Sequence, residues 1–245
     1  MPEFGLIVTD ASPLVTLGAA DALDTLKRPG LPVVLPDIVF LEVTRDPTKP
    51  GAQAVIDWVL ENKDLVRVLP TTIGVEYQQL LVVNPGAKSK GRGERAAVEL
   101  ASEYLERDPT MHAVLIYEDQ WVRDTRFVGG GTIADRVHVV TTGDFLRELE
   151  AARLIQSADH ILDDAANAGR NVDQQRAGQG RQAGESPAGE LATFLKTRVP
   201  GLMDAARDTG RTTGLLDTTS QSLLKETGTP DADHRALDRP RGRSR

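Results

Sequence analysis

Four acids stand where carboxylates can gather a hard cation: Asp10, Glu42, Glu94 and Asp119. Asp10 ends the apolar run that begins at Phe4, and Asp119 stands just beyond the run His112 to Tyr117. In an open α/β sheet ligands bind outside the carboxyl ends of the strands, so acids at two strand ends converge if those strands are neighbours. The same two residues also suit the cap of a following helix, and the sequence leaves both roles open. Glu42 sits one helical turn after Ile38, among Val39, Phe40, Leu41 and Val43, so it shares a face with an apolar residue. A carboxylate there must face solvent or find a partner, because burying a lone charge is costly. Glu94 opens a helical stretch on the side later occupied by Ala97, Val98, Ala101 and Leu105. Complementing the helix dipole is the simpler reason for a glutamate in a first turn.

Composition narrows the chemistry. The chain has no cysteine and only four histidines, His112, His138, His160 and His234. Cys-ligated zinc and iron–sulfur sites are excluded, and scattered histidines do not make a His-rich site. Oxygen donors alone point to Mg²⁺ or Mn²⁺. Such ions serve phosphoryl chemistry, where water is the nucleophile. An aspartyl-phosphate hydrolase would need a second acid two residues after its nucleophile, where Ser12 stands. A receiver domain would need an acidic pair before the first helix and a lysine after the last strand, and neither is present. A GxxxxGK[ST] phosphate loop is also missing.

The elements that must position these acids alternate. Strands are expected at Phe4 to Thr9, Leu31 to Leu35, Leu65 to Leu69, His112 to Tyr117 and Val137 to Val140. Helices are expected from Ser12, as N-cap with Pro13 at the first helical position, to about Lys27. Others follow at 37–45, 52–61, 76–83, 92–107, 143–153 and 157–167. This alternation predicts a mostly parallel sheet between helical layers. Residues 169–189 are rich in Gly, Gln and Arg without an apolar period and read as a linker. Residues 190–245 read as a partly helical extension with a disordered end, leaving 1–168 as the main domain.

The net charge of −7 is uneven: residues 1–170 carry 17 basic and 26 acidic side chains, and residues 171–245 carry 12 and 10. An acidic body argues against purely electrostatic binding of nucleic acid but suits acids that hold cations. The segment around Glu94 is the exception, with Lys88, Lys90, Arg92 and Arg95 as candidates to grip an RNA backbone. A solvated charged loop explains them equally well. No apolar run reaches the roughly 18 residues of a membrane span, and the N-terminus lacks a basic leader. The expectation is a cytoplasmic protein that does not enter membranes.

Five blocks in order resemble a PIN-domain nuclease: LIVTDASPLVTLGAADALDTL, LPDIVFLEVTRD, GRGERAAVELASEYLE, AVLIYEDQWVR and VVTTGDFLRELEAARLI. They are most similar to the stand-alone VapC-like toxins of toxin–antitoxin operons. The resemblance covers about residues 5–168 and implies a three-layer α/β/α sandwich with Mg²⁺- or Mn²⁺-dependent endoribonuclease activity. It implies Asp10, Glu42, Glu94 and Asp119 as catalytic and metal-ligating acids, with Ser12 and Thr141 in support. Glu118 and Asp144 depart from the family pattern. Glu118 is either an extra ligand or a neighbour, and Asp144 is better read as a helix cap. The implied partners are an RNA substrate, a cognate antitoxin and a second copy of the chain. Two other readings stay open: a PIN nuclease of RNA processing without an antitoxin, and an inactive PIN-like module acting through its C-terminal tail.

Overall fold

The computed structural model describes residues 2–118, 134–177 and 190–197. Its centre is a five-stranded sheet in the order β3-β2-β1-β4-β5. The strands are β1 (Glu3–Thr9), β2 (Val33–Pro36), β3 (Val66–Leu69), β4 (Met111–Tyr117) and β5 (Val137–Thr141), and every pairing is parallel. The strands are mostly apolar because their faces are covered, as parallel sheets require, with Arg67 in the edge strand β3 an exception. The chain first builds outward from β1 to β3 and then returns to the other side of β1 with β4 and β5. The order therefore reverses between β1 and β4, and a crevice opens at their carboxyl ends.

Helices form a layer on each face. On one face lie α1 (Ala11–Ala19), α3 (Ala52–Glu61), α6 (Thr142–Ala151) and α7 (Ala158–Asn167). They bury Leu14, Leu17, Val55, Trp58, Phe145, Leu149 and Leu162 against Phe4, Ile7, Val33, Val114, Ile116 and Val140. On the other face α5 (Arg92–Arg107) packs Ala97, Leu100, Ala101 and Leu105 onto Leu6, Val8, Val34, Ala113 and Leu115. A smaller cluster of Ile38, Tyr77, Ala87 and Ala96 joins α5 to α2 (Asp37–Thr44) and α4 (Thr72–Val83). The architecture is thus an α/β sandwich of helices around a parallel sheet. A register shift between Phe4 and Leu6 inverts the alternation in β1, so Phe4 and Ile7 share a face although three positions separate them.

Several elements differ from the sequence expectation. The first helix stops at Ala19 because Asp21 takes a left-handed conformation (φ 53°), and a short 3₁₀ turn at Leu23–Lys27 completes the span. Its N-cap is Asp10 and not Ser12, which lies inside the helix. Helix α4 begins at Thr72, earlier than position 76, because side chains satisfy its exposed first N–H groups. The Thr71 hydroxyl accepts from Gly74 N–H at 2.8 Å, and Glu99 accepts from Thr72 and Ile73 N–H.

The core also runs past residue 168. Val172, within the segment read as a linker, is buried, and so are Leu191, Phe194 and Leu195 of the helix at 190–197. The short helix α8 (Asp173–Ala177) lies against the start of α6. Here Gly143 permits a close approach, since a β-carbon on it would sit 2.3 Å from the Gln175 carbonyl oxygen. The rest of the expected linker, residues 178–189, and the extension beyond 197 lie outside the described residues.

Candidate functional site: an acidic pair at the strand-order reversal

Asp10 is held at the reversal point by its backbone. It follows β1 directly, and its N–H donates to the Ile116 carbonyl of β4 at 3.1 Å. As N-cap of α1 it makes no side-chain cap hydrogen bond to the helix. Asp10 is only 7% exposed. Burial pushes its pKa up to about 7, and the charges of Glu94, Glu42 and Glu118 push the same way against an opposing hydrogen bond from Ala11 N–H.

Glu42 approaches from α2, half-buried. Burial and the charge of Glu94 hold its carboxyl above the usual range, opposed by the Ser89 hydroxyl that bonds to it. The two acids meet over Gly93, in the first turn of α5. A β-carbon built on Gly93 would lie 2.8 Å from Asp10 Oδ1 and 3.3 Å from Glu42 Oε2. Both oxygens therefore face one point, and only a residue without a side chain fits beneath them. Glu94, the next residue, is half-buried and is the strongest charge acting on Asp10.

The other acids divide by their partners. Glu118, just after β4, accepts from Thr142 Oγ1 at 2.9 Å, and Arg170 Nη2 lies 3.6 Å from its other oxygen. Burial raises its pKa in spite of Thr142, Thr16 and Arg170. Glu118 thus contacts α6 and Arg170, which offset the burial of its charge only in part. Asp144 belongs to the N-terminal cap of α6. Thr141 Oγ1, at the N-cap of α6, accepts from Asp144 N–H at 3.0 Å and donates to Asp144 Oδ2 at 2.8 Å. Arg147 lies 3.2 Å from the same carboxylate. Thr141 and Asp144 thus build the start of α6. Asp119, and with it Trp121, lies outside the described residues.

The basic residues divide as well. Arg92 donates to the Lys88 carbonyl at 3.0 Å, and its guanidinium stands over the Tyr77 ring at 5.3 Å, so it braces its own loop. Lys88, Lys90 and Arg95 are exposed. A cavity of about 560 Å³ opens beside Glu42 and is lined in part by Ser12, Ser89, Arg45, Lys49 and Arg170. Sequence reasoning did not single out Gly93, Ser89, Arg45, Lys49 or Arg170. The Gly-Arg-Gly-Glu segment was the available signal for Gly93. The others depend on chain packing that no local pattern announces.

Asp10 and Glu42 suit two oxygen ligands of a hard cation. Burial first, and then the charge of Glu94, raises both pKa values, and a divalent ion would offset both effects, as bound metals do at carboxylate sites. Among the described residues no group of three or more Asp, Glu or His side chains is close enough to hold a metal ion. Glu94 acts on both acids through its charge. No protein-family model, curated protein or solved structure matches this chain. The resemblance to PIN-domain nucleases rests on the five sequence blocks.

Proposed function

We propose that this chain is a Mg²⁺- or Mn²⁺-dependent endoribonuclease of the PIN type. The observation that carries the reading is the meeting of Asp10 and Glu42 over Gly93, at the carboxyl ends of the strands where the strand order reverses. Two acids pressed together without a cationic partner favour binding of a cation. When bound, the ion would neutralise phosphate oxygens and activate a water against the phosphodiester. Asp10 and Glu42 would hold it, Glu94 would add attraction from α5, and Asp119 is the fourth acid proposed. Gly93 leaves room for the pair, and Ser89 orients Glu42. Glu118 and Asp144 are left out of the ligand set because each already has a cationic neighbour, Arg170 and Arg147. The role of toxin with a cognate antitoxin rests on the resemblance alone.

The test is cleavage of a mixed RNA pool by the full chain, with Mn²⁺ and with EDTA. Chelator-sensitive cleavage that is lost in Asp10→Asn and in Glu42→Gln supports the reading. Cleavage that survives both substitutions sinks it. The second reading is a binding module without catalysis. RNA binding without Mn²⁺-dependent cleavage would select that reading.

A further inference from the structure

The cavity beside Glu42 has an electrostatic character opposite to that of the chain as a whole. The protein carries a net charge of −7, yet Arg45, Lys49 and Arg170 line this one space together with a single acid, Glu42. The usual reason for a surface cation is a neighbouring carboxylate, and Lys49 has one only at longer range, in Asp46. Among the described residues neither Arg45 nor Lys49 lies within ion-pair distance of an acid.

Arg45 is nevertheless held in place. Its guanidinium donates to the Tyr77 hydroxyl at 3.4 Å and to the Pro85 carbonyl at 3.3 Å. Both acceptors are neutral, so they orient the group and leave its charge uncompensated. Arg170 shares its charge with Glu118 and donates to Thr16. Ser12 and Ser89 add hydroxyl groups to the lining, and Ser89 also bonds to Glu42, which joins the cavity to the acidic pair. A volume of about 560 Å³ exceeds what a free inorganic anion needs and falls in the range of pockets for small organic ligands.

We infer that this cavity is an anion subsite that takes the phosphate and sugar of the nucleotide next to the scissile bond, with Arg45 and Lys49 carrying the phosphate. The inference rests on the proposed phosphodiester hydrolysis for its choice of a polynucleotide strand. An oriented guanidinium presents a planar fork that matches phosphate oxygens, and an ammonium adds a point charge. Cations on one side of the acids and a metal between the acids would hold successive phosphates of one strand. This places the strand across α2 and the start of α3, beside Ser89.

The test uses the full chain in EDTA, titrated by calorimetry with adenosine 5′-monophosphate and with adenosine. The expected result is binding of the monophosphate, absence of binding by adenosine, and a loss of roughly tenfold or more in Arg45→Gln/Lys49→Gln, as expected when charge-assisted hydrogen bonds disappear. Lys63→Gln, at an exposed lysine that does not line the cavity, should keep the wild-type affinity. Both substituted cavity side chains are exposed, so the variant should fold, and circular dichroism checks this. For a single-stranded RNA, the slope of log affinity against log salt should fall by about 0.7 for each phosphate that the variant no longer neutralises. Absence of monophosphate binding, or an unchanged affinity in the double variant, overturns the subsite. The nuclease reading fails separately: monophosphate binding without Mn²⁺-dependent RNA cleavage keeps the subsite and removes the hydrolysis.

Discussion

Replacing Asp10 by asparagine should stabilise the metal-free protein, and should do so only toward alkaline pH. Asp10 is 7% exposed, and its pKa is raised to about 7 from 3.8 by burial and by Glu94, Glu42 and Glu118. Below pH 3.8 the carboxyl is protonated in both the folded and unfolded chains, and it costs the fold nothing. Between the two values the unfolded chain releases the proton while the folded chain keeps it. Stability therefore falls as pH rises, and above about 7 the loss is complete. At about 1.4 kcal/mol per pKa unit the ceiling is about 4 kcal/mol. Between about pH 5 and about pH 8 wild type should lose about 2–3 kcal/mol relative to Asp10→Asn, since the other titrating groups are shared and cancel. The assay is urea unfolding of both proteins in EDTA at the two pH values. An equal stability difference at both would refute the claim that clustered acids strain this site.

The other expectations concern packing. Gly93→Ala should displace Asp10 or Glu42, since its β-carbon would lie 2.8 Å and 3.3 Å from their oxygens. Mn²⁺-dependent cleavage should then fall by far more than the ~1–3 kcal/mol of stability expected from overpacking, as read by parallel activity and unfolding assays. Gly143→Ala should push α8 off α6, because its β-carbon would meet the Gln175 carbonyl oxygen at 2.3 Å. Faster limited proteolysis near residues 171–177 would report it. A chain ending at residue 170 lacks the buried side chains of Val172, Leu191, Phe194 and Leu195. At about 1.5–3 kcal/mol each the deficit rivals a typical total stability of about 5–15 kcal/mol, so this truncation should unfold. One ending at residue 202, which retains every described residue, should melt cooperatively.

The sheet was legible because each strand is a short, mostly apolar run and each long helix has an apolar stripe. The positions of Asp10 and Glu42 followed from the same logic, as a strand end and an apolar helix face. What stayed hidden depends on side chains meeting across the fold. The early start of α4 needs Glu99 from α5. The helix at 190–197 looked separable because a Gly- and Gln-rich segment precedes it. Its Leu191 and Phe194 nevertheless complete the core over Phe4, with the Phe4 and Phe194 rings 5.1 Å apart. Composition reports how a linker solvates, and it carries no information on where the next apolar face docks.

The acids of this chain are best sorted by what compensates them, and that sorting can be tested. Strand-end position alone does not separate Asp10 from Glu118, since both stand at the reversal point. Compensation does. Glu118 has Thr142 at 2.9 Å and Arg170 at 3.6 Å, and Asp144 has Thr141 and Arg147. Asp10 and Glu42 have Ala11 N–H and the Ser89 hydroxyl, neither of them charged. An added divalent cation lowers the free energy only of acids that lack a countercharge, because a compensated acid must first give up its partner. Mn²⁺ should therefore raise the melting temperature of wild type and of Glu118→Gln, and should leave Asp10→Asn and Glu42→Gln little changed. Metal-induced stabilisation that disappears in Glu118→Gln but persists in Glu42→Gln would move the cation to the other side of Asp10, and the ligand set would have to be rebuilt around β4 instead of α2.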